Sequence, residues 1–425
     1  MSQLQYWIWL TTIPGLSLRA QLQVLEQFES PEAVFLADQE AIKQVEGLTE
    51  RDRHALAARD LKRANQVLED CRREKINIIT MQDAAYPLRL RAIEMPPLVL
   101  YYKGDLLPFD VLPAIAVVGS RKASGYGLAT AKRMGYQLGA CGGVVVSGAA
   151  RGIDSLALEG ALSAGNPVAA VLGNGLDIVY PSEAKRLYED IVRNGCLISE
   201  YIPGTPPLGA NFPRRNRIMS GLSVGVVVIE AAKHSGSLIT ADYALEQGRD
   251  VFAVPGNVGL DCCAGSNGLI QEGAGLVTCG WDVLQGYQAR FPDQLHRRDG
   301  GEQLTLSPQD HKYMQETTLQ GERPDNHGQH TVKSVPKNET EPPNSEKRID
   351  NEQKRNYIDL QQIMPNLTQD ETDLVEILRN GQLHVDDIIE ISGIPPARVL
   401  SSLTLLEVKG YVTQQPGKRF ELNLK

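Results

Sequence analysis

Six short apolar runs, each separated from the next by a stretch with helical periodicity, constrain this chain more than any other feature. They are Ala114-Ile-Ala-Val-Val118, Gly143-Val-Val-Val146, Pro167-Val-Ala-Ala-Val-Leu172, Cys196-Leu-Ile198, Val224 to Ile229 and Val251-Phe-Ala-Val254. Runs of this length without polar alternation predict strands buried on both faces. Strands that alternate with helices predict a doubly wound, mostly parallel α/β sheet. In such sheets ligands bind beyond the carboxyl ends of the strands, so the residues after each run are where function is to be sought.

The chain has 425 residues, enough for about three domains of ~100–200 residues each. The sheet region occupies residues 76–287. Before it, residues 1–75 read as helical, with two similar turns, Ile13-Pro-Gly-Leu-Ser17 and Val45-Glu-Gly-Leu-Thr49. Paired turns of this kind predict a SAM-like or helix-hairpin-helix bundle. They either present backbone N–H groups to DNA phosphates or serve packing alone, and packing is the expectation here. Residues 288–365 are rich in Pro, Gly, Asn, Glu and Lys and poor in apolar side chains, a composition that predicts a flexible linker. Residues 366–425 regain periodicity. Helices at Asp370 to Arg379, Val385 to Ser392 and Pro395 to Gly410, then a hairpin around Pro416-Gly417, predict a winged helix-turn-helix.

The six cysteines (Cys71, Cys141, Cys196, Cys262, Cys263, Cys279) form no C-x-x-C pair and lack nearby histidines, so reduced structural thiols and no metal are expected. The first apolar run is broken by Thr11, Thr12 and Pro14 before membrane-spanning length, which predicts a cytoplasmic protein with no membrane partner.

The first strand ends in Gly119-Ser-Arg-Lys-Ala-Ser-Gly-Tyr-Gly127 and then opens a helix. Gly119, Ser120 and Ser124 with a helix amino terminus suit an anion, and the guanidinium of Arg121 suits a phosphate; the alternative is a plain glycine-rich strand–helix turn. The spacing is neither the dinucleotide fingerprint nor a P-loop, so no nucleotide cofactor is expected. The second strand ends in Ser147-Gly-Ala-Ala-Arg-Gly-Ile-Asp154, which adds Gly148, Arg151 and Gly152, with Asp154 placed as a cap or an arginine partner. The third runs into Asp177, read as a loop-holding carboxylate rather than a catalytic acid.

Before the fifth run stands Asn211-Phe-Pro-Arg-Arg-Asn-Arg217, and after it Lys233-His-Ser-Gly-Ser237. A net charge of -9 and a pI near 5.4 argue against a non-specific coat on duplex DNA, but net charge says nothing about one cleft with focused positive potential. Arg121, Arg151, Arg214, Arg217 and Lys233, with Asn216 and the hydroxyls of Ser235 and Ser237 around Gly236, are expected to converge on one edge. Phe212 offers a stacking surface there. A basic groove with an aromatic holds single strands without reading sequence. At least one arginine of the 214–217 segment is expected to pair internally, with Glu200 or Glu230.

Together these stretches resemble the DNA processing protein A (DprA/Smf) family. The motifs are Val118-Gly-Ser-Arg121, Ser147 to Asp154, Gly173 with Tyr180-Pro181, Phe212-Pro-Arg-Arg-Asn-Arg-Ile218, Ser235-Gly-Ser-Leu-Ile-Thr240, Gly248-Arg-Asp-Val-Phe-Ala-Val-Pro-Gly256 and Gly265-Ser-Asn-Gly-Leu-Ile-Gln-Glu-Gly-Ala274. The resemblance covers about half the chain strongly. It implies an extended Rossmann-like domain that binds single-stranded DNA, protects it, forms a homodimer, and loads it onto the RecA recombinase during natural transformation. It also implies phosphate contacts by Arg121, the Arg214 to Arg217 segment and the basic position before Ser235. The chain departs from the family at that last position, where His234 replaces an arginine and Lys233 is the remaining cation.

Two other functions compete. The Lonely Guy phosphoribohydrolases share this superfamily, but their Pro-Gly-Gly-x-Gly-Thr-x-x-Glu loop is replaced here by His234-Ser-Gly-Ser-Leu-Ile-Thr240, which favours a binding protein over an enzyme. A duplex reader led by the winged helix is disfavoured by its third helix, which carries only Arg398 and Lys409 against Glu407.

Overall fold

The computed structural model describes residues 3–297, 367–379, 381–392, 394, 396–409, 411–415 and 419–422, which fall into two compact units. The larger opens with the helices α1 (Leu4–Thr12), α2 (Leu18–Phe28), α3 (Pro31–Leu36), α4 (Gln39–Lys43), α5 (Glu50–Leu56) and α6 (Lys62–Arg73). The side chains of Ser17, Ser30, Asp38 and Thr49 accept backbone N–H groups at the starts of α2 to α5 and so fix where each begins. The two expected turns are present. Gly15 and Gly47 both take φ +81°, a conformation that glycine alone adopts without strain, and a capping residue follows each two positions on. The helices are not set apart as a domain, however. Trp7 and Trp9 of α1 belong to the same continuous core as sheet residues Val99, Tyr101 and Ile115.

The sheet contains β1 (Asn77–Thr80), β2 (Val99–Gly104), β3 (Ala114–Val118), β4 (Val144–Ser147), β5 (Val168–Leu172), β6 (Gly195–Ser199), β7 (Gly225–Val228), β8 (Asp250–Ala253) and β9 (Gly275–Leu276). Its order is β1-β2-β6-β5-β4-β3-β7-β8-β9. From β6 to β9 every pairing is parallel, and β1 and β2 add an antiparallel extension at one edge. Between strands run α7 (Leu88–Arg91), α8 (Gly125–Ala140), α9 (Ile153–Ser163), α10 (Lys185–Arg193), α11 (Asn211–Leu222), α12 (Leu238–Glu246) and α13 (Ala264–Gln271), and α14 (Gly280–Leu284) follows β9.

Successive strand residues point to opposite faces, so each central strand serves two cores. Ile115 and Val117 pack with Met134 and Leu138 of α8 and Leu158 of α9. Ala116 and Val118 pack with Ile218 and Met219 of α11 and Ala244 of α12. This two-sided burial is why the central strands read as unbroken apolar runs.

The body extends beyond the expected end at residue 287. Phe291 and Leu295 are buried in the same core, and the His296 backbone N–H donates to the Cys141 carbonyl at 3.2 Å. The predicted linker therefore does not begin at 288; its remainder, 298–365, lies outside the described residues. The smaller unit contains the helices α15 (Gln369–Leu378), α16 (Val385–Ser392) and α17 (Pro396–Val408) with the strands β10 (Leu383–His384), β11 (Val412–Gln415) and β12 (Arg419–Leu422), paired in the order β10-β12-β11 around its own apolar core. This is the winged helix. No helix among the described residues is long and apolar enough to cross a membrane.

The helices α8 and α9 approach closely because glycines line their contact. A Cβ built on Gly135 stands 2.0 Å from the Ala157 carbonyl oxygen, and one on Gly160 stands 2.1 Å from the Lys132 carbonyl oxygen. Both obstacles are backbone, which cannot rotate away. Gly135→Ala should therefore cost about 1–3 kcal/mol of stability by overpacking, read from urea unfolding. Wild-type stability in this variant would show that the two helices are not held in close contact.

Candidate nucleic-acid interface

The sheet order puts β3 between β4 and β7, and the winding reverses between β3 and β7. The carboxyl ends of these two strands face one crevice, the expected ligand position in a doubly wound sheet. A cavity of about 480 Å³ occupies it. Gly119, Ser120 and Arg121 line it from the end of β3, Ser235, Gly236, Ser237 and Thr240 from the start of α12, and Phe212, Arg215 and Asn216 from α11.

The contribution of α11 follows from its period. Phe212, Arg215, Asn216 and Met219 all line the cavity, and the spacing i, i+3, i+4, i+7 is one face of a helix. Arginines adjacent in the sequence consequently have different fates. Arg214 is exposed, with no ion pair among the described residues. Arg215 is buried, its guanidinium donating to the Gly148 carbonyl at 3.1 Å, to the Val171 carbonyl and, through Nε, to the Asn216 side chain at 3.2 Å. Arg217 turns away from the cavity. It forms a two-pronged pair with Glu200 at 2.6 and 2.9 Å and donates through Nε to the Met95 carbonyl at 2.8 Å. Arg217 was expected at the interface, and this burial removes it; the internal pairing expected within the segment is met by this residue.

Arg121 is exposed, and its guanidinium stands 4.9 Å over the ring of Phe212. The ring of Tyr180 also packs against Phe212, 5.8 Å between centroids and tilted by 37°. Arg121 also lines two adjoining cavities, one of about 190 Å³ with Gly148, Arg151 and Phe212, and one of about 850 Å³ over α8, α9 and α10 with Arg151 and Gly152. It is the residue where the three spaces meet.

The remaining expected residues divide. Ser124 does not line the first cavity, because its Oγ accepts the Gly127 N–H as the cap of α8 and donates to Glu230 at 2.5 Å. Gly152 takes φ +81° and lets the start of α9 approach the Ser120 carbonyl, which a Cβ there would meet at 2.5 Å. Arg151 is exposed but pairs with Glu183, and that hydrogen bond holds the Glu183 carboxyl down at about 2. Lys233 is exposed and lines none of these cavities. Asp177 is a loop anchor, accepting the Gly204 N–H at 2.9 Å on each oxygen.

Two contributors, Tyr180 and Thr240, fall outside the expected site residues, and Asp154 stands beside an arginine as expected. Tyr180 extends the aromatic surface. Thr240 is fully buried, and its hydroxyl has no hydrogen-bond partner although its residue lines the cavity. Asp154, in the first turn of α9, lies beside Arg215; burial pushes its carboxyl up to about 6, with the Arg215 charge the largest pull in the other direction. In the winged helix Arg398 of α17 is neutralised by Asp370 at 2.6 Å, and Lys409 just after that helix by Glu371 at 2.6 Å.

Residues 77–288 match the family of the DNA recombination-mediator protein A, and residues 361–418 match the DprA winged helix domain. The DNA processing protein DprA of Streptococcus pneumoniae is 46% identical over 219 residues, 51% of this chain and 76% of that protein. Its X-ray structure superposes with a TM-score of 0.59 at 38% identity, covering 66% of this chain and 97% of that one. The protein Smf of a Synechocystis species is 30% identical over 430 residues, spanning 99% of both chains. Matched from end to end by such a relative, the chain belongs to the DNA processing protein A (DprA/Smf) family.

Proposed function

We propose that this protein is a single-stranded DNA mediator without chemistry of its own, which binds a strand with little sequence preference, protects it, and loads RecA onto it during natural transformation. The observation that carries the reading is Arg121, which stands over Phe212 where three cavities meet and has no carboxylate paired with it among the described residues. Phosphates are held by Arg121 and by the exposed Arg214 and Lys233. Bases stack on Phe212 and Tyr180, each such contact contributing ~1–3 kcal/mol. Ser235, Gly236 and Ser237 supply hydroxyl and backbone donors from the start of α12.

The mediator role is supported by the matched family's description as a recombination mediator. The homodimer is supported by the edge of the sheet, where Leu276 on β9 is 54% exposed, and an apolar strand edge favours burial against another chain. The segment from Gly265 to Leu284 would supply the contact.

Replacing Arg121 with Ala should weaken all single-stranded sequences about equally and shallow the salt slope by roughly 0.7 for one lost phosphate contact, with stability unchanged. Arg214→Ala should likewise reduce affinity while changing stability by less than about 0.5 kcal/mol. Arg217→Ala should do the opposite, costing about 3–5 kcal/mol by stranding Glu200. Fluorescence-anisotropy titrations across a salt series and urea melts of the three variants check this. An Arg121→Ala protein that unfolds but binds normally in its folded fraction would make Arg121 a structural residue.

A chain ending at residue 297 keeps Phe291 and Leu295 and every group named above. It should retain most of the affinity and remain dimeric by light scattering at tens of micromolar. A folded product that has lost its affinity would move the DNA site to the winged helix, and a monomer would reject the dimer contact.

A further inference from the structure

Glu230 follows β7 and is 1% exposed. Its carboxylate accepts the Ser124 backbone N–H at 2.9 Å and the Ser124 hydroxyl at 2.5 Å, but no Lys, Arg or His pairs with it among the described residues. A buried carboxylate held by neutral donors alone is unfavourable unless a cation stands nearby. What does stand nearby is sulfur. The 3₁₀ turn Asp261–Cys263 brings two adjacent thiols to the carboxylate, and one oxygen of Glu230 and the sulfurs of Cys262 and Cys263 all lie within 4.8 Å of one another. Among the described residues this is the one such cluster of metal-ligating side chains.

The spacing and rigidity of the cluster suit a metal. The two sulfurs are 3.8 Å apart, and two thiolates bound about 2.3 Å from a tetrahedral ion stand about 3.8 Å apart. The turn is anchored before any ion arrives: the Cys263 N–H donates to the Leu260 carbonyl at 3.0 Å and the Gly265 N–H to the Ala231 carbonyl at 2.7 Å. Asn267 brackets Gly256 with hydrogen bonds of 3.0 and 3.1 Å, and a Cβ on Gly256 would stand 2.3 Å from the Cys263 sulfur, so glycine there admits the thiol. Ser124 orients the carboxylate as an outer-shell partner does in metal sites. Cys262 is only half-buried, which leaves a route for entry.

We infer that Glu230, Cys262 and Cys263 form a binding site for a thiophilic divalent cation, Zn²⁺ or its analogue Cd²⁺. Two thiolates and one carboxylate match the donor preference of these ions. On binding, each thiol gives its proton to solvent, and the ion accepts a lone pair from each sulfur and from one Glu230 oxygen, leaving a position for water on the Cys262 side. The bound ion ties the turn after β8 to the cap of α8, the helix that follows Arg121.

The test uses the full-length, untagged, reduced and metal-stripped chain. Titration with Co²⁺ should produce a near-ultraviolet thiolate-to-cobalt charge-transfer band that saturates with one ion per chain and is displaced by Zn²⁺. Cys262→Ser should cut the band to at most about half and weaken Zn²⁺, measured against a chromophoric chelator, by at least the about 10–100-fold that losing an outer-shell partner alone causes. Cys279→Ser, at a cysteine outside the cluster, should change neither. In the wild-type chain Zn²⁺ should also protect the half-buried Cys262, but not the half-buried Cys279, from alkylation read by mass spectrometry, a measurement that needs no variant to fold. Absence of the thiolate band, an unchanged band and affinity in Cys262→Ser, or equal alkylation with and without Zn²⁺ would overturn the site.

Discussion

The guanidinium of Arg215 is the group around which the crevice is built. It is 3% exposed, and an arginine cannot shed its charge in a protein, so burial obliges the surroundings to supply acceptors. Those acceptors are the Gly148 carbonyl after β4, the Val171 carbonyl on β5 and the Asn216 side chain, with the Asp154 carboxyl beside them. One side chain thereby fixes α11 against two strand ends and the start of α9. Gly148 is a glycine for the same reason, since a Cβ there would stand 2.4 Å from the Arg215 guanidinium. With α11 anchored in this way, Phe212 faces the cavity, Arg214 faces solvent and Arg217 faces Glu200.

That arrangement also explains what the sequence revealed and what it did not. Strands buried on both faces leave an unambiguous trace, and all six apolar runs are strands that agree with expectation to within a residue or two at each end. β1 and β2 were not expected because they lie at an antiparallel edge, and β9 because two residues carry no pattern. Trp7 and Trp9 are apolar enough for a separate bundle, and nothing in their spacing indicates that they share a core with Val99 and Tyr101. At the site, Gly119 to Arg121 and Ser235 to Ser237 were legible because small residues and a charge at a strand end are local signals. The arginines of α11 were not. Side chains on a helix advance by about 100° per residue, so a tight cluster in the sequence becomes three directions in space. Thr240 and Tyr180 stand within the motifs of the resemblance but carry no charge that marks a role, and only the fold brings them to the cavity.

The acidity of the whole chain and the charge of the crevice are compatible because electrostatic potential is local. Several positive groups away from the crevice are paired close by, among them Arg193 with Asp190, Arg398 with Asp370 and Lys409 with Glu371. Arg121 and Arg214 have no such partner among the described residues. Unpaired cations thus stand where the strand ends open, whatever the sign of the whole chain. Ser124 links this edge to the cluster behind it, since the hydroxyl that caps α8 also holds Glu230.

The central proposal is that a crevice of unpaired arginine and aromatic surface selects an unpaired strand, whose bases are free to stack and whose backbone can bend into the space beyond the carboxyl ends of β3 and β7. The most direct measurement is a side-by-side titration of the intact protein with single- and double-stranded oligonucleotides of equal length and mixed sequence across a salt series. The account predicts clear preference for the single strand at every salt concentration, with affinity falling as salt rises. Equal affinity for the duplex at matched length would contradict it.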